Sequence, residues 1–420
     1  MDQVAIRKDF PILKDLVYFD SASTSLTPEP VIKSLLDYYR SFKANVGRGV
    51  YRTAQLADQR YRNAHQKAAG FVGDVGYGCD AGDSGDAVNA GGVGYSGPKG
   101  TTIFTRNATE SINIVARGLK WKRGDRIVTT LLEHHSNLLP WLRLKEMGIE
   151  LLVVRPDRSG RLDIGDLERA IEKGARLVAM SQLSNALGTV LPVREVGKIC
   201  RDHNSALLVD AAQSVPHMPV NVLDIGCDFL CFSGHKMLAP MGSGVLWIRN
   251  ADADSNEEKR QIEPLLVGGG MVQDVSIGAD DGRDGCNCNE CDYDYQVKPG
   301  YEGYEAGTPD ISAGIGLGAA VDYLQKVGIE DICHHEERLT NRLLEGLQGI
   351  SGVKVYGPGP SYSSSSSSQE MRGGVVSFEV EGLLPHEVAL MLDQASNICV
   401  RSGHHCCIPL MKHLGLKYGT

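Results

Sequence analysis

Two short apolar runs in this chain end in chemically useful residues. Ala206 to Val209 closes on Asp210 and is followed by Ala211-Ala212-Gln213; the run from Asp228 to Phe232 closes on Ser233-Gly234-His235-Lys236. Taken singly, these are a strand-end acid and a surface lysine, since charged residues mostly face water. Taken together, they supply the parts of one cofactor site. A carboxylate at a strand end keeps a pyridine nitrogen protonated, so that the ring can accept electrons. A lysine amine forms a Schiff base with an aldehyde, and donors such as Ser233 and His235 hold a phosphate. The chemistry that unites them is that of pyridoxal 5'-phosphate (PLP).

Such residues need a scaffold that brings strand ends together. Arg126 to Leu132, Ile149 to Val154, Arg176 to Ser181, Ala206 to Val209 and Gly244 to Ile248 read as strands. Thr109 to Leu119, Asn137 to Met147, Asp166 to Lys173 and Val193 to His203 read as helices. This alternation predicts an α/β domain whose mostly parallel sheet is covered on both faces. Ligands gather at the carboxyl ends of such strands, where Asp210 falls. After residue 305 the texture changes to helices over Ser312 to Lys326 and Ile332 to Leu347, then strands near Val353 and over Val375 to Val380. The organisation expected is an N-terminal segment (1–29) packing with a small domain, a large cofactor-binding domain (30–305) and a smaller α+β domain (306–420).

Three segments interrupt the pattern and read as mobile surface loops: the Gly/Asp-rich 74–100, the acidic 278–296, and 359–369 with its serine run. The first contains Gly92-x-Gly94-x-x-Gly97, but no strand precedes it and no helix follows, so it fails as a dinucleotide fingerprint. The net charge of −9 argues against nucleic acid or an anionic membrane as partner. No apolar run approaches the ~18 residues of a spanning helix, and a cytoplasmic protein is expected. In a reducing compartment eleven cysteines favour buried thiols, metal ligands or a catalytic thiolate over disulfides. Cys200, Cys227, Cys231 and Cys399 sit in apolar stretches and read as core. Cys286, Cys288 and Cys291 lie close enough to hold zinc or an iron–sulfur cluster, but no fourth ligand is evident and an idle insertion is the commoner case.

Across nearly its whole length the chain resembles the class V group of fold-type I PLP enzymes, and within it the cysteine desulfurases and selenocysteine lyases. The matching stretches include Tyr18-Phe19-Asp20-Ser21-Ala22-Ser23, Thr105-Arg106-Asn107-Ala108-Thr109-Glu110, Glu133-His134-His135-Ser136-Asn137, Ser184-Asn185-Ala186 and Glu305-Ala306-Gly307-Thr308-Pro309. They end with Arg401-Ser402-Gly403-His404-His405-Cys406.

From their own chemistry, Ala108 and Thr109 open a helix that can hold a phosphate or be simply capped. The resemblance stacks His134 over the PLP ring as a proton relay, and directs Asn185 and Gln213 to the ring's phenolic oxygen. It sends Thr308 to the phosphate of a partner subunit, implying a homodimer with shared sites. It makes Cys406 the nucleophile: a thiolate, favoured by His404, His405 and Arg401, takes sulfur from L-cysteine, releases alanine and keeps a persulfide for a sulfur-acceptor protein in iron–sulfur cluster biogenesis. A metal site at His404-His405-Cys406-Cys407 is the rival, weakened because adjacent residues rarely face one centre. Cys407 stands where the family more often has a small residue.

Other departures bear on substrate. Gly47 and Tyr51 replace common histidines, and the sequence stops at Thr420 before an Arg-x-Ser segment whose arginine grips the substrate carboxylate. A C-terminally incomplete chain is therefore expected, one that binds PLP but handles cysteine poorly; Arg401 would orient the nucleophile loop or serve as the remaining substrate ligand. The alternatives carried are a lyase for L-selenocysteine, another class V aminotransferase or epimerase activity, and a catalytically weak scaffold. Cys406 argues against the aminotransferase and epimerase, and intact Lys236 and Asp210 argue against the scaffold.

Overall fold

The computed structural model describes residues 1–74, 99–250, 261–277, 293–360 and 372–420. The Gly92–Gly97 run, the serine run, Cys79, Cys286, Cys288 and Cys291 lie outside the described residues.

Strand β1 is Val17–Tyr18, and β2 to β8 are Gly100–Thr105, Arg126–Thr130, Glu150–Val154, Ala175–Ser181, Ala206–Asp210, Phe229–Ser233 and Gly244–Arg249. The last seven form one sheet in the order β2-β8-β7-β6-β5-β3-β4. Only β8 runs against its neighbours, β2 and β7; the rest pair in parallel. Every residue of β6 and β7 is buried, as a sheet covered on both faces requires. The alternation of side chains splits those strands between two cores. Leu207, Val209, Leu230 and Phe232 enter one, whereas Leu208, Phe229 and Cys231 enter the other.

Register then sets the site. Ser181 pairs with Asp210, and Asp210 with Cys231, so the carboxyl ends of β5, β6 and β7 arrive side by side. Lys236 sits in the connection from β7 to the antiparallel β8, just beyond the Ser233–Gly244 pair.

The long Ile311–Val327 helix packs on Arg52–Phe71 and Glu29–Asp37, and its glycines are what let it approach. A Cβ on Gly314 would come within 2.6 Å of the Tyr61 ring, and one on Gly316 within 2.7 Å of Pro240, behind the lysine loop. Beside this contact the His65 ring lies stacked between Phe104 and Tyr301, at 3.7 and 3.9 Å. Glu305 closes the cluster: its Oε1 sits 2.8 Å from His65 Nε2 and accepts the Phe104 N–H at 2.7 Å, while Oε2 accepts the Tyr61 hydroxyl at 2.8 Å.

The N-terminal segment is tied to distant chain. β1 pairs in parallel with Ile398–Cys399, and the Tyr323 hydroxyl donates to Asp9 at 2.9 Å. The antiparallel strands Val353–Tyr356 and Ser377–Val380 accompany the helices Ile329–Gln348 and Pro385–Ser396.

Two sequence expectations are corrected. The helix expected over Asn137 to Met147 is broken into a turn of 3₁₀ helix (His135–Asn137), a short helix (Leu139–Arg143) and a second 3₁₀ turn (Leu144–Met147). Pro140 has no N–H to continue the first turn, and buried Trp141 pins the break by donating to Asn137 Oδ1 at 3.0 Å. Cys399 is only half-buried, because its strand pairs with the short β1 and lies in no core. Cys200, Cys227 and Cys231 are buried as expected, and burial raises all three thiols above the ordinary range.

The helix contact generates a stability test. Gly314→Val should lower stability by about 1–3 kcal/mol through overpacking against Tyr61 and Phe104. Gly346→Ala, on an open helical face, should be neutral or stabilising. Urea denaturation of both variants measures the contrast.

Candidate active site

The three strand ends open into a cavity of about 290 Å³. Ser181, Asp210 and Ser233 line it from the strands, Ala108 and Thr109 from a helix start, and His134, Asn185, Gln213, His235, Lys236 and Arg401 from loops. Ten of the residues singled out in the sequence are thus brought to one wall. Cys406 and Thr308 are not among its lining residues; Thr308 is exposed and Cys406 partly so.

Asp210 is buried, with Oδ1 accepting the Ala212 N–H at 3.0 Å. Burial pushes its carboxyl up, and that hydrogen bond and the Lys236 charge pull it back down. Lys236 shows the mirror image. Burial lowers its pKa, Asp210 raises it, and Arg401 lowers it again, which favours the nucleophilic free amine.

Burial holds His134 down to about 4, helped by Lys236, so the ring is neutral near pH 7. Its Nδ1 accepts the Ser136 N–H at 3.1 Å, which leaves the ring proton on Nε2. The Ser136 hydroxyl lies 2.6 Å from the Thr109 hydroxyl, placing two OH groups at the start of the Ala108–Gly118 helix. Asn107 caps that helix by accepting the Glu110 N–H at 3.0 Å. The Ala108 N–H donates to Ser233 Oγ at 2.9 Å. A Cβ on Gly244 would lie 2.5 Å from Asn107 Cα, so glycine is what lets β8 meet the helix start this closely.

These residues fit PLP. Two wall atoms, Gln213 Oε1 and Ser181 Oγ, are buried with no hydrogen-bond partner among the described residues. A polar ring in the cavity would offer them one. Asp210 matches a pyridinium, Lys236 an aldehyde, and the helix start with Thr109 and Ser136 a phosphate.

The Cys406 loop is fastened to the same wall. His405 and Cys406 have φ of 51° and 56°, left-handed values that cost roughly 1–3 kcal/mol each in non-glycine residues. Anchors offset that cost: Asn185 Nδ2 donates to His405 O, and the His135 N–H donates to Cys406 O, both at 2.8 Å. Arg401 Nη2 stands 3.7 Å from Cys406 Sγ. Burial, with Arg401 adding to it, holds His405 down to about 4, so its ring is neutral and does not supply the positive charge expected beside the thiolate. The nearby fixed cation is Arg401. Among the described residues, the group whose ligand atoms converge as a metal site requires is Glu168, Glu172 and His203, not the His404–Cys407 run.

Sequence reasoning missed Ser181 as a wall residue and quoted Ser23 and Ser136 without giving them a role. It also gave no role to Glu133, a buried carboxyl pushed by burial to about 7 despite accepting from Thr130 at 2.6 Å and Asn137 at 2.7 Å. Its place directly before His134 was the available signal.

The aminotransferase class-V family matches residues 17–75 and 96–420, most of the chain. The chain belongs to that family. Family relatives include proteins described as probable cysteine desulfurases in Methanothermobacter thermautotrophicus and Pyrococcus abyssi. The first is 41% identical over 413 residues, covering 98% of this chain and 90% of the relative. The second is also 41% identical, over 416 residues, with the same coverage of 98% and 90%. Among solved family structures, the apo cysteine desulfurase of Thermococcus onnurineus superposes with a TM-score of 0.81 at 40% identity, covering 99% of this chain and 91% of that one. The cysteine desulfurase CsdA of Escherichia coli gives 0.77 at 28% identity, covering 99% and 92%.

The His134 environment predicts a pH response of the cofactor-free protein. Its pKa is lower folded than unfolded, so the unfolded chain takes up the proton first on acidification. Stability should fall as pH drops from 6.5 to about 4 and then level for this group. Denaturation at several pH values should show a shallower slope across that window in His134→Asn.

Proposed function

We propose that this protein is a PLP-dependent cysteine desulfurase. It takes sulfur from L-cysteine, releases L-alanine and holds a persulfide on Cys406 for a sulfur-acceptor protein, such as one serving iron–sulfur cluster assembly. The observation that carries this reading is the tethering of a partly exposed thiol, with Arg401 beside its sulfur, to the wall that holds Asp210 and Lys236. An aminotransferase needs no such thiol.

PLP, when bound, supplies an electron sink for the substrate's α-carbon. The chain supplies the rest. Asp210 would hold a protonated ring nitrogen from a buried position where its charge is little screened. The Lys236 amine, whose pKa burial lowers from the ordinary lysine range, is placed to take and return a proton. His134 offers a proton on Nε2 without adding charge to a site that already holds Lys236 and Arg401. The Cys406 thiolate, facing Arg401, attacks the substrate sulfur. A sulfur–sulfur bond forms as the carbon–sulfur bond breaks, and the carbon keeps the electron pair and takes up a proton. The sum is L-cysteine plus enzyme thiol giving L-alanine plus enzyme persulfide.

The same reading makes the protein a cytoplasmic homodimer. Val50, Tyr51 and Met241 are exposed by 87%, 58% and 74%, apolar surface that a second copy would cover, and exposed Thr308 would reach the partner's phosphate site. The cytoplasm keeps thiols reduced, as a free Cys406 needs. No helix among the described residues is long and apolar enough to cross a membrane.

Three experiments test the reading. With L-cysteine, mass spectrometry should find one added sulfur on the Cys406 peptide, and Cys406→Ser should abolish it while cleavage of L-selenocysteine survives. Persulfide formation undiminished in Cys406→Ser sinks the assignment. Borohydride reduction should fix PLP to the wild type and not to Lys236→Ala. Asp210→Ala should keep bound PLP yet lose turnover by about a hundredfold or more.

A further inference from the structure

We propose that Cys407 is a positioning residue: its S–H orients the Asn185 amide, and through it the backbone that carries the nucleophile. It is not a second sulfur carrier. This rests on the reading of Cys406 as that nucleophile.

The two neighbouring cysteines live in opposite surroundings. Cys406 is partly exposed, whereas Cys407 is 0% exposed within the main core cluster, beside Leu410 and Met411. Its Sγ lies 3.2 Å from Asn185 Oδ1. Burial, with the Glu133 charge adding to it, pushes the thiol up to about 12, so near pH 7 it is S–H, a donor and a poor nucleophile.

A donor at that point decides which way the amide faces. An asparagine amide presents an acceptor on one side and a donor on the other. With Oδ1 turned to the Cys407 S–H, Nδ2 meets His405 O at 2.8 Å. Turned over, Oδ1 would confront that carbonyl, acceptor against acceptor. His405 and Cys406 occupy left-handed backbone, and their carbonyls are held by Asn185 and the His135 N–H. Asn185 also lines the cofactor cavity, so one side chain fixes both the cavity wall and the nucleophile's backbone. With alanine at 407 that side chain would lose its S–H partner.

The test compares Cys407→Ala with Cys407→Ser in the full, PLP-loaded chain. Both remove the sulfur, but only serine keeps a donor. Hydrogen exchange of peptides spanning 403–408, measured without substrate, should rise about five- to tenfold in Cys407→Ala and return toward wild type in Cys407→Ser. With L-cysteine, kcat for persulfide on Cys406 should fall in Cys407→Ala with KM little changed, and recover in Cys407→Ser. Native wild type treated with iodoacetamide should be labelled at Cys406 and protected at Cys407, a measurement that needs no variant. Serine behaving like alanine, alanine behaving like wild type, or substrate sulfur lodged on Cys407 would each overturn the proposal. If wild type forms no persulfide anywhere, the desulfurase reading fails, while the exchange order of the two variants still decides the Cys407 role.

Discussion

Asp210 and Lys236 impose on one another a constraint that the rest of the site is built to satisfy. Burial penalises the charge on each, and each offsets part of the penalty on the other. Neither can be held in place by flexible chain. Asp210 is the last residue of a fully buried parallel strand, and Lys236 lies in the turn between two antiparallel ones. A one-residue slip of β6 would turn Asp210 to the other face of the sheet. The apolar alternation that fills two cores therefore also sets the electrostatics of the cavity.

Two histidines near that pair are kept from adding charge. His134 and His405 are both held neutral by burial, so neither adds an imidazolium beside Arg401. Neutrality also fixes where protons sit, because Ser136 donates to His134 Nδ1 and leaves the other nitrogen to carry hydrogen. The local backbone strain at His405 and Cys406 belongs to the same economy of design: two carbonyl anchors hold a conformation that free chain would leave.

How much of this was legible in the sequence depends on how local the cause is. Asp210 and Lys236 could be read because a strand end and a following polar turn are local patterns, and the β-rich runs carried the parallel sheet with them. The break at Pro140 was local too, but the i, i+3, i+4 spacing of Leu138, Trp141 and Leu142 masked it. Cys399 and His405 were misjudged for a different reason. Their environments are set by β1 and by the folded loop around Arg401, which no window of sequence contains. Asn185 was visible as a site residue, but its grip on the Cys406 loop joins positions 220 residues apart and exists only in three dimensions.

The cluster around Glu305 has a bearing on how the chain is made. Tyr61, His65 and the Phe104 N–H are all served by a carboxylate that follows them by 201 to 244 positions. A nascent chain leaving the ribosome from its N-terminus exposes those three groups long before their acceptor is translated. The first sheet strand and the Arg52–Phe71 helix must therefore wait, incompletely satisfied, until Glu305 emerges. A translational pause upstream of it would prolong the interval in which a chaperone has to shield that surface.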